Sequence, residues 1–331
     1  MDIAVIGAGA IGGTVAAMLD RAGHRVEVTA RGAHLTAIRQ HGIRLSGAWG
    51  DHTAAVDAAE LLTRKPQLVI LATKAMDAPG AAADNAPLLD GVPLVVIQNG
   101  LGGLEETAAA APGSPVVGGL CLIAASLTAP GEITVTTAAP TWLGMTDPAA
   151  SDHAARLAAK VLADAIPCQV VSNFEGARWT KLIINQVNAL PAITGLSVQE
   201  VIDHPPLREL LSTSMQEAAR VGLARGIRFE EVNEVTHDDV VRLADASLAE
   251  ADFLPLRLRA YLGETPNPGS TLQSIRRGQA SEIDYLNGAI VSAGLGAGVP
   301  TPVNERMVEL VHQVERTGQF VTVDEVLADR D

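Results

Sequence analysis

The sequence predicts an α/β N-terminal domain with a mostly parallel sheet, followed by an all-α C-terminal domain. Three observations carry this. Short runs of Val, Ile and Leu alternate with helical patterns through the first half, as βαβ units do. A glycine-rich turn, Gly7-Ala8-Gly9-Ala10-Ile11-Gly12, separates the first such run from the first helical pattern, which makes the domain Rossmann-type. After Ser172 the patterns are almost only helical, so the predicted domains are residues 1–171, α/β, and 172–331, helical.

Asp2–Ile6 is an apolar run ending in glycine and reads as a buried strand. Residues 10–22 read as a helix with Val15, Ala16, Met18 and Leu19 apolar, closed by Gly23. Arg25–Thr29, Gln67–Ala72 and Pro93–Gln98 are the next strands. Ile43, Leu45, Trp49 and Val56 suggest a hairpin within 41–58. From 115 to 145, Val116-Val117, Leu120–Ile123, Ile133–Thr136 and Trp142–Gly144 read as consecutive strands joined by turns, including Ala129–Glu132. A helix over 151–165 and a strand over Gln169–Val171 close the domain. The spacing then predicts helices over 174–190, 206–225, 230–249, 270–276, 281–297 and 302–316.

Composition narrows the function classes. The chain has 331 residues, 47% hydrophobic and 19% charged, which is a folded composition. Aromatics are 3%, too few for the stacking platforms of single-strand binders. Lys+Arg number 24 against 38 Asp+Glu, a net charge of -14 that repels a nucleic acid. A small anionic ligand therefore needs locally gathered positive charge. Cys121 and Cys168 make neither a disulfide framework nor a four-ligand zinc site, so buried reduced thiols and no metal are expected. Met1-Asp2 opens without a basic n-region, and no run of 18 uncharged apolar residues reads as a membrane span. The expectation is a cytoplasmic protein with no membrane partner; the Ala-rich helices of the second half are compatible with a homodimer.

The turn matches G-x-G-x-x-G in the required context, after a strand and opening a helix. Gly7 makes the tight turn, Gly9 lets the backbone approach a pyrophosphate, and Gly12 lets helix and strand pack closely. The amides of Ala8, Ala10 and Ile11 belong to the same phosphate-facing turn. A plain strand-to-helix turn is the bland alternative. After the second strand an acid would bond the ribose of NAD, and an Arg would accept the phosphate of NADP. The strand ends Val28-Thr29-Ala30-Arg31 with Glu27 inside it, so NADP(H) is expected, against an ordinary surface arginine.

Lys181, Asn185 and Asn188 are spaced i, i+4, i+7 and share one helical face, opposite Leu182, Ile183, Ile184, Val187 and Leu190. A solvent face is the alternative, but such faces carry several charges and this one carries a single ammonium among amides. An ammonium so placed can polarise and protonate a carbonyl oxygen. Ser281–Gly288 opens another predicted helix, in which Ser281 caps and Asp284 favours the dipole. Glu282 either belongs to that cap or faces the lysine and substrate.

Together these segments resemble the ketopantoate reductase family over nearly the whole chain. The resemblance rests on the glycine turn, Arg31, Ala72-Thr73-Lys74-Ala75, Gln98–Gly102, Arg178–Leu182 and Ser281–Gly288. It implies a Rossmann domain, a helical domain and an active site between them. It also implies that Lys181 is the general acid and that Glu282 orients substrate and lysine. By the same resemblance Lys74 and Asn99 lie near the nicotinamide and its ribose, and Asn185 and Ser270 bond the substrate. Departures fall at Val198, where many members have Asn, and at Ser274, where many have Asp. The expected function is NADPH-dependent reduction of a 2-oxo acid, 2-dehydropantoate to pantoate. The rivals are a D-2-hydroxyacid dehydrogenase with another substrate and a non-catalytic NADPH-binding sensor.

Overall fold

Buried apolar strands make the centre of the first sheet. The computed structural model describes residues 1–145 and 152–328 and divides into two units, Met1–Phe174 and Glu175–Asp331. The first unit begins β1 (Asp2–Ile6), α1 (Ala10–Arg21), β2 (Arg25–Thr29), α2 (Gly32–His41), β3 (Ile43–Gly47), β4 (His52–Ala54) and β5 (Asp57–Ala59). It continues β6 (Leu68–Leu71), α3 (Ala78–Leu89), β7 (Leu94–Ile97), α4 (Gly103–Ala110), β8 (Val116–Cys121), β9 (Ala124–Ala129) and β10 (Glu132–Thr137). It closes with β11 (Thr141–Gly144), α5 (His153–Ala163) and β12 (Cys168–Val170).

The main sheet has the order β12-β11-β8-β7-β6-β1-β2-β5, parallel except where β11 meets β8. In β1 and β2, Asp2 pairs with Arg25 and Ile6 with Thr29. The chain leaves β1 for β2 and β5, then returns through β6, β7 and β8 on the other side. Strand order thus reverses between β1 and β6, the switch point outside whose strand ends such sheets bind ligands. The turns leaving those strands are Gly7–Gly9, which leads into α1, and Ala72–Lys74.

The 41–58 hairpin is β3 against β4, as expected, but it belongs to a second sheet of order β4-β3-β10-β9. α1 packs on both sheets, and Gly12 to Leu19 are all buried. A helix covered on two sides keeps no polar face. A Cβ at Gly13 would fall 2.3 Å from Ile133 Cδ1, so the glycine lets the isoleucine lie directly on the helix backbone. Between 115 and 145 the structure corrects the reading. Val116-Val117 and Leu120-Cys121 are one strand, β8, because Gly118 and Gly119 pair in register with Val96 and Ile97. β9 was not among the expected strands; its half-buried, Ala-rich sequence shows little period-2 contrast. Part of the predicted 151–165 helix, residue 151, lies outside the described residues.

The second unit is helical. It holds α6 (Phe174–Ile184), a 3-10 turn over Asn185–Asn188, α7 (Ala189–Thr194), α8 (Val198–Asp203), α9 (Pro205–Ala224), α10 (His237–Asp245), α11 (Leu248–Ala251) and α12 (Phe253–Leu262). Then come α13 (Gly269–Arg276), a 3-10 turn over Ile283–Tyr285, α14 (Asn287–Ala297), α15 (Pro302–Thr317) and α16 (Val323–Ala328). The helix expected over 230–249 starts only after Thr236, because Asn233 and Glu234 take φ of 51° and 62° in a tight turn. The helix expected over 281–297 is broken at Leu286, and Ser281 does not cap it; its Oγ instead accepts from Ile283 N at 3.3 Å.

Candidate active site

The glycine turn is held from below. Gly7 N donates to Thr29 Oγ1 at 3.0 Å and Ala8 N to Thr29 O at 2.9 Å. Gly7 has φ of +91°, and a Cβ there would lie 2.7 Å from Thr73 Cγ2. A Cβ at Gly12 would lie 2.0 Å from Gly7 O, whereas at Gly9 nothing stands within 4 Å. The turn is therefore closed on the protein side and open beside Gly9. Gly9 caps α1 with no side-chain cap bond and no acid follows in the first turn, so neither device answers the positive helix end. Ala10 and Ile11 form that first turn.

Arg31 is exposed and extended at the N-cap of α2, just past β2. Glu27 is only 2% exposed, and its Oε1 accepts from Thr63 N at 2.9 Å and Thr63 Oγ1 at 2.6 Å, so it is sequestered inside the strand. At the strand ends across the switch point, Lys74 and Asn99 are half-buried in the turns after β6 and β7. Beside them are buried polar atoms without partners, Thr73 Oγ1 and both amide atoms of Gln98. The open glycine turn, the uncapped helix end and these orphaned groups fit a dinucleotide. Gln98 was visible in the sequence only as a neighbour of Asn99.

In the second unit Lys181 lies on α6 with only 4% exposure. The helix does not run on to 190: it tightens into the 3-10 turn, and Asn188 Nδ2 donates to Asn185 O at 2.9 Å. The common face survives, because i,i+4 in an α-helix and i,i+3 in a 3-10 turn both align. Asn188 Oδ1 accepts from Ser270 N at 3.0 Å, and a Cβ at Gly269 would sit 2.6 Å from that oxygen. The structure thus brings Asn185, Asn188 and exposed Ser270 together.

A buried polar network, missed in the sequence, ties this turn to the segment after Glu282. Gln186 Oε1 accepts from Asn287 Nδ2 at 2.7 Å and Ser214 Oγ at 2.9 Å. Asn304 Oδ1 accepts from the same two groups at 3.0 and 3.1 Å. Glu217 accepts from the amides of Val303 and Asn304 at the start of α15, and burial raises its carboxyl above the usual range despite those bonds. Gln186 escaped notice because it interrupts an apolar arc. Glu282 itself is half-buried. Asp284 lies in the first turn of the 3-10 segment, as expected, and its Oδ1 also meets His312 Nε2 at 2.9 Å, while His312 Nδ1 meets Glu315 at 2.8 Å. Burial pushes His312 down, but bonds to Glu315 and Asp284 outweigh it and raise the imidazole. Val198 is 1% exposed in the unit's core, and Ser274 Oγ turns back to Ser270 O at 3.2 Å. Trp179, two residues before Lys181, is 2% exposed, with the Arg225 guanidinium 6.0 Å above its ring.

Among the described residues no three or more His, Cys, Asp or Glu gather as a metal site, and no helix is long and apolar enough to cross a membrane. Burial pushes the Cys168 thiol up to about 12, which leaves it a poor nucleophile.

Two family models cover most of the chain: ketopantoate reductase PanE/ApbA over residues 3–148, and the C-terminal part of the same family over 173–315. The chain belongs to the ketopantoate reductase family. The 2-dehydropantoate 2-reductase of Archaeoglobus fulgidus is 30% identical over 321 residues, 95% of this chain and 97% of that protein. That of Mesorhizobium japonicum is 30% identical and covers 95% and 98% of the two chains. A solved PanE/ApbA family ketopantoate reductase from Ralstonia eutropha JMP134 superposes with a TM-score of 0.81 at 29% identity, covering 96% and 99%. D-mandelate dehydrogenase, solved with NADH and anilino(oxo)acetate, shares the fold with a TM-score of 0.80 at 23% identity and the same coverage. This ketopantoate reductase family member is an NAD(P)-dependent oxidoreductase acting on a small molecule.

Proposed function

We propose that the protein reduces 2-dehydropantoate to pantoate with NADPH, residues 1–171 holding the dinucleotide and 172–331 the substrate. The observation that carries this is Lys181, an ammonium 4% exposed, one helical turn before Asn185 on a turn anchored to Ser270. Family membership supports it. Arg31, beside a strand whose one acid is sequestered, supports the 2′-phosphate.

When bound, the reduced nicotinamide supplies a hydride. Gly7–Gly12 cradle the phosphates on the amides of the turn and the α1 N-terminus, with Ala8, Gly9, Ala10 and Ile11 lining it. Lys74 and Asn99 hold the nicotinamide half. Asn185 and Ser270 bond the 2-oxo acid and orient its keto group. Lys181 Nζ donates a hydrogen bond to the keto oxygen and gives up its proton as that oxygen becomes an alkoxide. Glu282 holds the ammonium and the substrate hydroxyl in line.

Val198 and Ser274 favour a second reading, a D-2-hydroxyacid dehydrogenase with another substrate, since neither offers the amide or carboxylate common in the family. NADPH and NADH oxidation at 340 nm against a panel of 2-oxo acids separates the readings. Highest kcat/KM with NADPH and 2-dehydropantoate supports the proposal. A different best acid supports the second reading, and tight binding without turnover of any acid leaves only a sensor.

A further inference from the structure

We infer that His34 is a positioning residue that aims the glycine turn at the dinucleotide. The inference rests on the cofactor reading above and extends it to a residue outside the fingerprint.

His34 stands on α2, three residues after Arg31. Its Nε2 lies 2.7 Å from Ala8 O, and its Nδ1 lies 2.9 Å from Gly131 N in the β9–β10 turn. A carbonyl only accepts and a backbone amide only donates. The ring therefore carries its hydrogen on Nε2 and its lone pair on Nδ1. Both nitrogens are used, so the ring has one tautomer and one orientation.

The consequence falls on Gly9. The Ala8 carbonyl and the Gly9 N–H belong to one planar trans peptide and point in opposite directions. A donor that holds Ala8 O fixes where the Gly9 amide points. Thr29 O already holds Ala8 N at 2.9 Å, so the peptides on both sides of Ala8 are set. Gly9 has open space beside it, as a backbone meant to meet a ligand requires. The amide direction is then pre-set rather than ordered on binding, which lowers the entropy cost of cradling phosphate. Gly131, at φ +79°, ties the same ring to the second sheet, so the turn is braced against β10 as well as β2.

The test uses the full chain and NADPH, with dissociation constants by calorimetric titration, steady-state kinetics with the best 2-oxo acid, and thermal midpoints. His34→Asn keeps an acceptor near Gly131 but withdraws the donor from Ala8; His34→Gln offers both a donor and an acceptor. Expected for His34→Asn is a rise in the NADPH dissociation constant and KM of about tenfold, with kcat and the 2-oxo acid KM little changed. His34→Gln should recover most of that loss at a similar thermal midpoint. NADPH affinity in His34→Asn within about threefold of wild type, a matching fall in kcat, or no recovery with Gln overturns the inference while leaving the cofactor reading intact. Wild-type protein that binds neither NADPH nor NADH overturns both.

Discussion

In the proposed reaction the chemistry at Lys181 depends on one proton. A general acid contributes about 10²- to 10⁴-fold in rate, so Lys181→Ala should lower kcat by that order and leave NADPH affinity nearly unchanged. A kcat within about tenfold of wild type, ~1.4 kcal/mol of barrier, would show that the proton comes from elsewhere. Arg31 makes a different prediction. Arg31→Asp exchanges an attraction for the 2′-phosphate for a repulsion, so KM for NADPH should rise far more than KM for NADH. An unchanged ratio excludes the 2′-phosphate role. Both residues were singled out by position alone, one on a sparse polar face, the other past a strand end. Gln186, Asn287 and His34 were not. Their partners lie 101, 17 and 97 residues away in sequence for the bonds that define them, and no local spacing encodes such a partner.

Secondary elements were legible where period and glycine agreed, as in β1, α1 and β2. They were misread where capping, not periodicity, sets the boundary. Thr236 and Asp239 form a capping box that starts α10, and Ser197 and Glu200 form one that starts α8. Both follow the S/T-x-x-D/E signature; apolar spacing outvoted it at α10, and α8 was not among the expected helices at all. The α10 box is reinforced from α12. Arg257 Nη1 and Nη2 each donate to Asp239 at 2.9 Å, and this guanidinium, with Thr236, holds the carboxyl at about 2, below its ordinary 3.8. A depressed carboxyl stabilises the fold above pH 3.8 and loses that contribution as pH falls toward 2. Arg257→Ala should therefore cost about 1 kcal/mol near neutrality, since the half-open guanidinium is screened by solvent and Thr236 keeps its share of the carboxyl, with the gap to wild type shrinking below pH 4 in urea unfolding. A gap independent of pH means that Arg257 acts through its 5.5 Å stacking on Phe253 instead.

For the molecule as a whole, composition carried the exclusions and topology carried the site. A net charge of -14 leaves anionic ligands to local devices, and the candidates for them in the first unit are the backbone amides of the glycine turn, the α1 helix end and Arg31. The second sheet was the part of the fold least visible beforehand. Its strands come from distant stretches, β3 and β4 before β5, β9 and β10 after β8, and pairing across such gaps leaves no mark on nearest neighbours. The scarcity of aromatics has an optical corollary. Of three tryptophans, Trp49 and Trp142 belong to the first unit, leaving Trp179 as the sole indole of the second. Replacing the other two with phenylalanine would turn its emission into a private reporter on the packing of α6 against α9, where the Arg225 guanidinium stands over the ring and Gly222 lies beside it.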